Sequence, residues 1–127
     1  MREILFRGKR TDTGEWVEGF YSNELYANKH YISKWYYGSY AELQKFEVIP
    51  ETVGQYTGLC DANGKKLFEG DIIKNIAGYV YSGSYTCTVD WQCGWFCGYG
   101  LCVDIPPESF KYCEVIGNIH DNPELLN

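Results

Sequence analysis

The chain reads as an all-β, mainly antiparallel protein, and three observations say so. No window sustains a helical period. Short apolar, β-branched and aromatic runs recur between clusters of Gly, Asn, Asp and Ser. Over residues 86–93 the pattern alternates residue by residue, as a half-buried antiparallel strand requires.

The elements follow in order. Ile4-Leu5-Phe6-Arg7 and Trp16-Val17-Glu18-Gly19-Phe20-Tyr21 flank Asp12-Thr13-Gly14, which can turn the chain, so a first hairpin is expected. Residues 30–36 form the next strand, ended at Gly38-Ser39-Tyr40, and 42–48 is ambiguous between states. Pro50 presets φ for a tight turn, after which 54–59 runs extended. Asp61-Ala62-Asn63-Gly64-Lys65 places turn-favouring side chains ahead of a glycine, predicting a sharp reversal. A bend at Glu69-Gly70-Asp71 leads into a strand at 72–76. In the alternating strand 86–93, Cys87, Val89, Trp91 and Cys93 share one face. Gly94 turns the chain into 95–103, which Pro106-Pro107 ends, and a last strand covers 112–119. Asn122 then suits an N-cap with Pro123 at the first helical position, predicting one short terminal turn.

With 127 residues, 45% hydrophobic and 17% aromatic, the chain is apolar enough to fold around a core and is expected to form one domain. The uncharged stretch 75–89 is interrupted by Gly78, Ser82, Gly83, Ser84 and Thr86, so no membrane span is expected there. The apolar run at 4–6 is too short for a secretory signal, and a soluble, cytoplasmic protein is expected.

The six cysteines are Cys60, Cys87, Cys93, Cys97, Cys102 and Cys113, and without export they are expected to be reduced. Their spacings form no Cys-x-x-Cys knuckle, so neither zinc nor any cofactor is expected. The net charge of -6 comes mostly from residues 60–127, which carry 4 Lys/Arg against 9 Asp/Glu. Such a surface repels phosphate, leaving Arg2, Arg7, Lys9 and Arg10 as candidate phosphate contacts should the chain bind nucleic acid. Glu69 and Asp71 make a carboxylate pair without a third ligand, and His30 and His120 stand in no recognisable spacing with Cys, Ser or Asp. No catalytic constellation emerges, and a non-enzymatic role is expected.

Thr52-Val53-Gly54-Gln55-Tyr56-Thr57-Gly58-Leu59, then Asp61-Ala62-Asn63-Gly64-Lys65 and Glu69-Gly70-Asp71-Ile72-Ile73-Lys74, closely resemble the YopX family of small phage and prophage proteins. The C-terminal Glu114-Val115-Ile116-Gly117-Asn118-Ile119-His120-Asp121-Asn122-Pro123-Glu124-Leu125-Leu126 fits the same family, as do Phe6-Arg7-Gly8-Lys9-Arg10 and Gly14-Glu15-Trp16-Val17. The resemblance implies a phage or prophage origin and a small SH3-like barrel in the C-terminal part, 51–127. The N-terminal part, 1–50, is then a hairpin or sheet extension, with at most a short helical turn or two in the whole chain. It carries over no catalytic residues. Its glycines and turn acids have structural roles open to them: Tyr56 and Ile72 fit an interior and Asp71 a turn acceptor.

Residues 75–103 hold seven aromatics and a single charge, Asp90, and a small barrel cannot hide so many rings. Tyr79, Tyr81, Trp95, Phe96 and Tyr99 are therefore the candidate interaction surface, for a protein partner or a second copy of the chain. The alternative is a nucleic-acid-binding barrel that stacks bases on these rings and contacts phosphates through the N-terminal cations.

Overall fold

The computed structural model of the chain describes residues 4–75, 86–92, 95–99, 104–105 and 107–126. Its strands are β1 (Phe6–Lys9), β2 (Trp16–Glu24), β3 (Lys29–Tyr37), β4 (Ala41–Val48), β5 (Gly54–Cys60), β6 (Lys66–Phe68), β7 (Asp71–Asn75), β8 (Thr86–Gln92), β9 (Trp95–Tyr99), β10 (Asp104–Ile105) and β11 (Cys113–Asn118). Short 3-10 turns occupy Pro50–Thr52, Pro107–Tyr112 and Pro123–Leu126. Every described pairing is antiparallel, in agreement with the all-β expectation, and the strands form open sheets rather than a closed barrel. No helix among the described residues is long and apolar enough to cross a membrane.

The chain divides into two compact units, Met1–Gln55 and Tyr56–Asn127, with the division inside β5. In the first unit the order is β4-β3-β2-β1, with Gly54 and Gln55 of β5 paired to Arg7 and Phe6. The first hairpin turns where expected: Gly14 has φ +74, and its N–H donates to the Arg10 carbonyl at 3.0 Å. A second hairpin joins β2 to β3 through Asn28, which has φ 52; Asn tolerates that region because its side chain can bond locally.

The first unit's sheet curls until the end of β1 touches the end of β4. Arg10 and Val48 form one antiparallel bridge, the Thr11 N–H donates to the Glu47 carbonyl at 3.0 Å, and the Ile49 N–H donates to the Lys9 carbonyl at 2.8 Å. Val17, Ile32 and Val48 fill the inside of the curl, with Phe6, Tyr21, Phe46 and Val53 against them. Strands can approach this closely only where side chains are missing. A Cβ on Gly8 would lie 3.0 Å from that of Val48, and one on Gly19 would run into the Ser33 carbonyl.

The second unit holds a sheet of order β10-β9-β8-β7-β11, and within the same unit β5 pairs with β6. Leu67, Ile73, Cys87, Val89, Phe110 and Cys113 form its buried core. The alternation of 86–93 holds where it is described: Cys87 and Val89 are buried, while Thr86 and Asp90 are exposed. Cys113 sits so deep that burial pushes its thiol up to about 11, with Cys87 and Asp61 adding to the effect.

Candidate functional site

Strand alternation sorts the side chains of the first unit onto two surfaces. Register places Phe6 beside Gly19 and Gly8 beside Val17, so even positions of β1 and odd positions of β2 face inward. Arg7 and Lys9 consequently point outward, where the Arg7 guanidinium lies 4.6 Å and the Lys9 ammonium 5.8 Å from the Trp16 ring centre. Arg10 has the opposite phase, and its guanidinium stacks 4.4 Å from the Phe46 ring. The basic run is thereby divided between two faces, and Arg2 lies outside the described residues.

At its mouth the curl leaves a cavity of about 310 Å³, lined by Arg10, Glu15, Trp16, Glu18, Lys34 and Tyr36 among others. Asp12 holds the Arg10 guanidinium through bonds of 3.0 and 2.8 Å. That hydrogen bonding pushes the Asp12 carboxyl below its usual range and raises Arg10 further. The Tyr36 ring meets Phe46 edge-on at 6.4 Å. Two cations and two acids among the lining residues cancel, so the mouth has no strong preference for a charged ligand.

The outer face of β2, β3 and β4 is more distinctive. Trp35 lies opposite Leu43, Tyr37 opposite Ala41 and Phe20 opposite Ser33, so Phe20, Trp35, Tyr37 and Leu43 share this face. Their exposures are 59%, 43%, 81% and 49%, well above what incidental contact with water gives a core residue. Lys45 stands on the same face, 4.1 Å from the Tyr31 ring and 3.8 Å from Glu24. Burial raises the Tyr31 hydroxyl above its ordinary value, and the negative charge of Glu24 adds to it.

Sequence reasoning located its candidate surface elsewhere. Tyr79 and Tyr81 lie outside the described residues, and Trp95, Phe96 and Tyr99 are described only as backbone of β9, paired with β8. The signal for the N-terminal face was present in 31–40, which carries Tyr31, Trp35, Tyr36, Tyr37 and Tyr40. In the first unit His30 Nδ1 shares a 2.5 Å hydrogen bond with the Tyr21 hydroxyl, and in the second the His120 main-chain N–H donates to Asn118 Oδ1 at 3.0 Å. Among the described residues no group of three His, Cys, Asp or Glu side chains could hold a metal ion.

The YopX protein family model matches residues 5–127. The chain belongs to the YopX family. A crystal structure of protein EF1440 from Enterococcus faecalis is similar in fold, with a TM-score of 0.64 and 24% identity over 100% of both chains. No curated protein matches.

The residues that carry the YopX resemblance hold the backbone in place. Thr52 Oγ1 accepts the Lys9 N–H at 2.9 Å and donates to the Ile49 carbonyl at 2.6 Å. Asp61, only 6% exposed, accepts the N–H groups of Asn63, Lys65 and Val115 at 2.9, 2.8 and 3.0 Å. Asp71, 1% exposed, accepts the Phe68 N–H at 2.8 Å, as its turn position predicts, and Tyr56 and Ile72 are buried. Asn122 Oδ1 accepts the Asn118 N–H at 3.3 Å and packs against Gly117, where a Cβ would approach it to 2.5 Å. Asp61 and Asp71 of the YopX motif are thus engaged by main-chain N–H groups.

Proposed function

We propose that this YopX-family chain is a non-enzymatic accessory protein of phage or prophage origin that works in the host cytoplasm as a protein-interaction module. The outer face of the β2-β3-β4 sheet is its docking surface. One observation carries the reading: Phe20, Trp35, Tyr37 and Leu43 lie exposed and adjacent across three strands. Single exposed apolar residues are ordinary, but contiguous ones that include aromatic rings have the composition of an interface core. An SH3-like arrangement of 51–127 belongs to the same proposal.

A photo-crosslinking phenylalanine at position 37, in the full chain expressed in bacteria, tests the docking surface. A discrete adduct heavier than the single chain is expected on illumination, with the same probe at exposed Glu51 as control. Crosslinks confined to the single chain at both positions would overturn the reading.

The Lys9-Trp16 pair favours a second reading, in which single-stranded nucleic acid stacks on the outer face while Lys9 meets its phosphates, the Arg7 guanidinium beside it being largely buried. The net charge of -6 opposes it. That reading predicts a mobility shift with single-stranded DNA at low salt that disappears as salt rises, and absence of the shift at low salt removes it.

A further inference from the structure

We propose that the protein docked on this face is a second copy of the chain, joined through the edge of β4 into a two-fold antiparallel pair centred on Leu43. The inference deepens the interaction reading above and rests on it.

The hydrogen-bonding phase of β4 is fixed by its two bonds to the β1 end. Glu47 turns its carbonyl and Ile49 its N–H away from β3, toward Thr11 and Lys9. Main-chain groups alternate along a strand, so Ala41, Leu43 and Lys45 direct theirs outward as well. β4 ends the sheet order of its unit, and among the described residues these three positions meet no further strand. The open edge is therefore three hydrogen-bonding positions long and stops where Thr11 covers Glu47.

Centring two such edges on Glu42 opposes two glutamates, which leaves three same-face registers to weigh. Centring on Leu43 pairs Ala41 with Lys45, Leu43 with Leu43 and Lys45 with Ala41. Every outward group is then used, each pair exchanging two bonds. Centring on Gln44 leaves Ala41 opposite Glu47, whose carbonyl Thr11 already occupies. Centring on Lys45 sets two lysines face to face, which is repulsive. Only the first register meets no obstacle.

The same register extends the exposed apolar face. Trp35 is the direct neighbour of Leu43, so the pair forms a continuous row running Trp35, Leu43, then Leu43 and Trp35 of the second copy. On the opposite face Glu42 meets Gln44, an acceptor beside an amide donor. The edge strand's unused bonds and its exposed row are thus satisfied by one occupant that needs no other sequence than this one.

The experiment uses the purified full chain. Light scattering is expected to give twice the 14.6 kDa chain mass at about 100 µM, a concentration typical for modest self-association. Amide exchange followed by NMR is expected to show Leu43 and Lys45 slowed at least about tenfold relative to dilute protein. Leu43→Pro removes the outward N–H at the centre without touching a bond to β3, and edge positions tolerate proline. Leu43→Lys keeps that N–H but opposes like charges. Both variants are expected to stay folded by circular dichroism, to run as monomers and to lose the protection. A wild-type chain of single mass, dimers that survive both substitutions, or fast exchange at Leu43 and Lys45 would each overturn the pairing. A heavy adduct at position 37 that contains a different protein sinks self-pairing while leaving the interaction reading intact.

Discussion

Asp61 is the residue whose loss should cost the second unit most, and the structure allows the amount to be worked out. Its carboxylate accepts three backbone N–H groups from two separate parts of the chain: Oδ1 takes Asn63 and Lys65 within the turn, and Oδ2 takes Val115 on β11. The Ala62 N–H donates to the Cys113 carbonyl at 2.8 Å, so the turn is fastened to β11 at two neighbouring points. Replacing Asp61 by Ala strands the Val115 donor inside the unit, at about 1.5–3 kcal/mol for a bond to a charged group. The two turn amides lie beside exposed Asn63 and Lys65, where water can replace the carboxylate, and contribute about 0.5–1 kcal/mol each. The expected loss is about 2.5–5 kcal/mol, a large fraction of the ~5–15 kcal/mol that holds a domain together. Asp61→Asn keeps one acceptor and turns the other into a donor, with an expected loss of about 2–3 kcal/mol. Urea unfolding followed by circular dichroism measures both. A loss below about 1 kcal/mol for the alanine variant would show that the turn and β11 are held by something other than this carboxylate.

Other outcomes follow from the same geometry. Gly19→Ala should cost about 2–4 kcal/mol, read as a lower urea midpoint, because the new Cβ meets the rigid Ser33 carbonyl and the strand must move. Gly117→Ala should cost about 1–3 kcal/mol, since it displaces Asn122 from the Asn118 N–H, and exchange of that amide should quicken. The raised thiol of Cys113 makes stability depend on alkaline pH: its contribution is complete below the ordinary value of 9.0 and is lost as pH rises toward about 11, where the folded thiol ionises. A Cys113→Val variant should show a flatter stability profile over that range. In the native protein at neutral pH, half-buried Cys60 should alkylate well before buried Cys87 and Cys113, which peptide mass mapping would check.

Much of the fold was legible because local chemistry and tertiary structure agree. Gly14, Gly64 and Gly70 all adopt positive φ where the sequence placed turns, and Cys87 and Val89 are buried as the alternation requires. The 42–48 segment resisted reading because β4 is an edge strand: Glu42, Leu43, Lys45 and Glu47 are all exposed, so its inner and outer faces differ little in polarity. The β2-β3 hairpin runs on to Glu24 and restarts at Lys29, and its turn has no Gly or Pro, only Asn28, to announce it. The candidate site was less legible. A run of cations reads as one patch in sequence, yet strand phase sends Arg7 and Lys9 to one surface and Arg10 to the other, a separation that depends on the register of β1 against β2. The aromatics of β3 likewise gained meaning only once the inward places were seen to be taken by Ile32 and its neighbours.

The division of the chain inside β5 has a consequence for anyone building chimeras of YopX proteins. One continuous strand gives Gly54 and Gln55 to pairing with β1 and Tyr56 to pairing with β6, so the change of unit falls between neighbouring paired residues. A splice there that adds or deletes one residue breaks the alternation along β5, so its two halves keep their separate pairings only through a bulge, whereas a change of two restores the phase. Recombinants between relatives should accordingly survive at this junction best when the spacing between Gly54 and Tyr56 changes by an even number of residues.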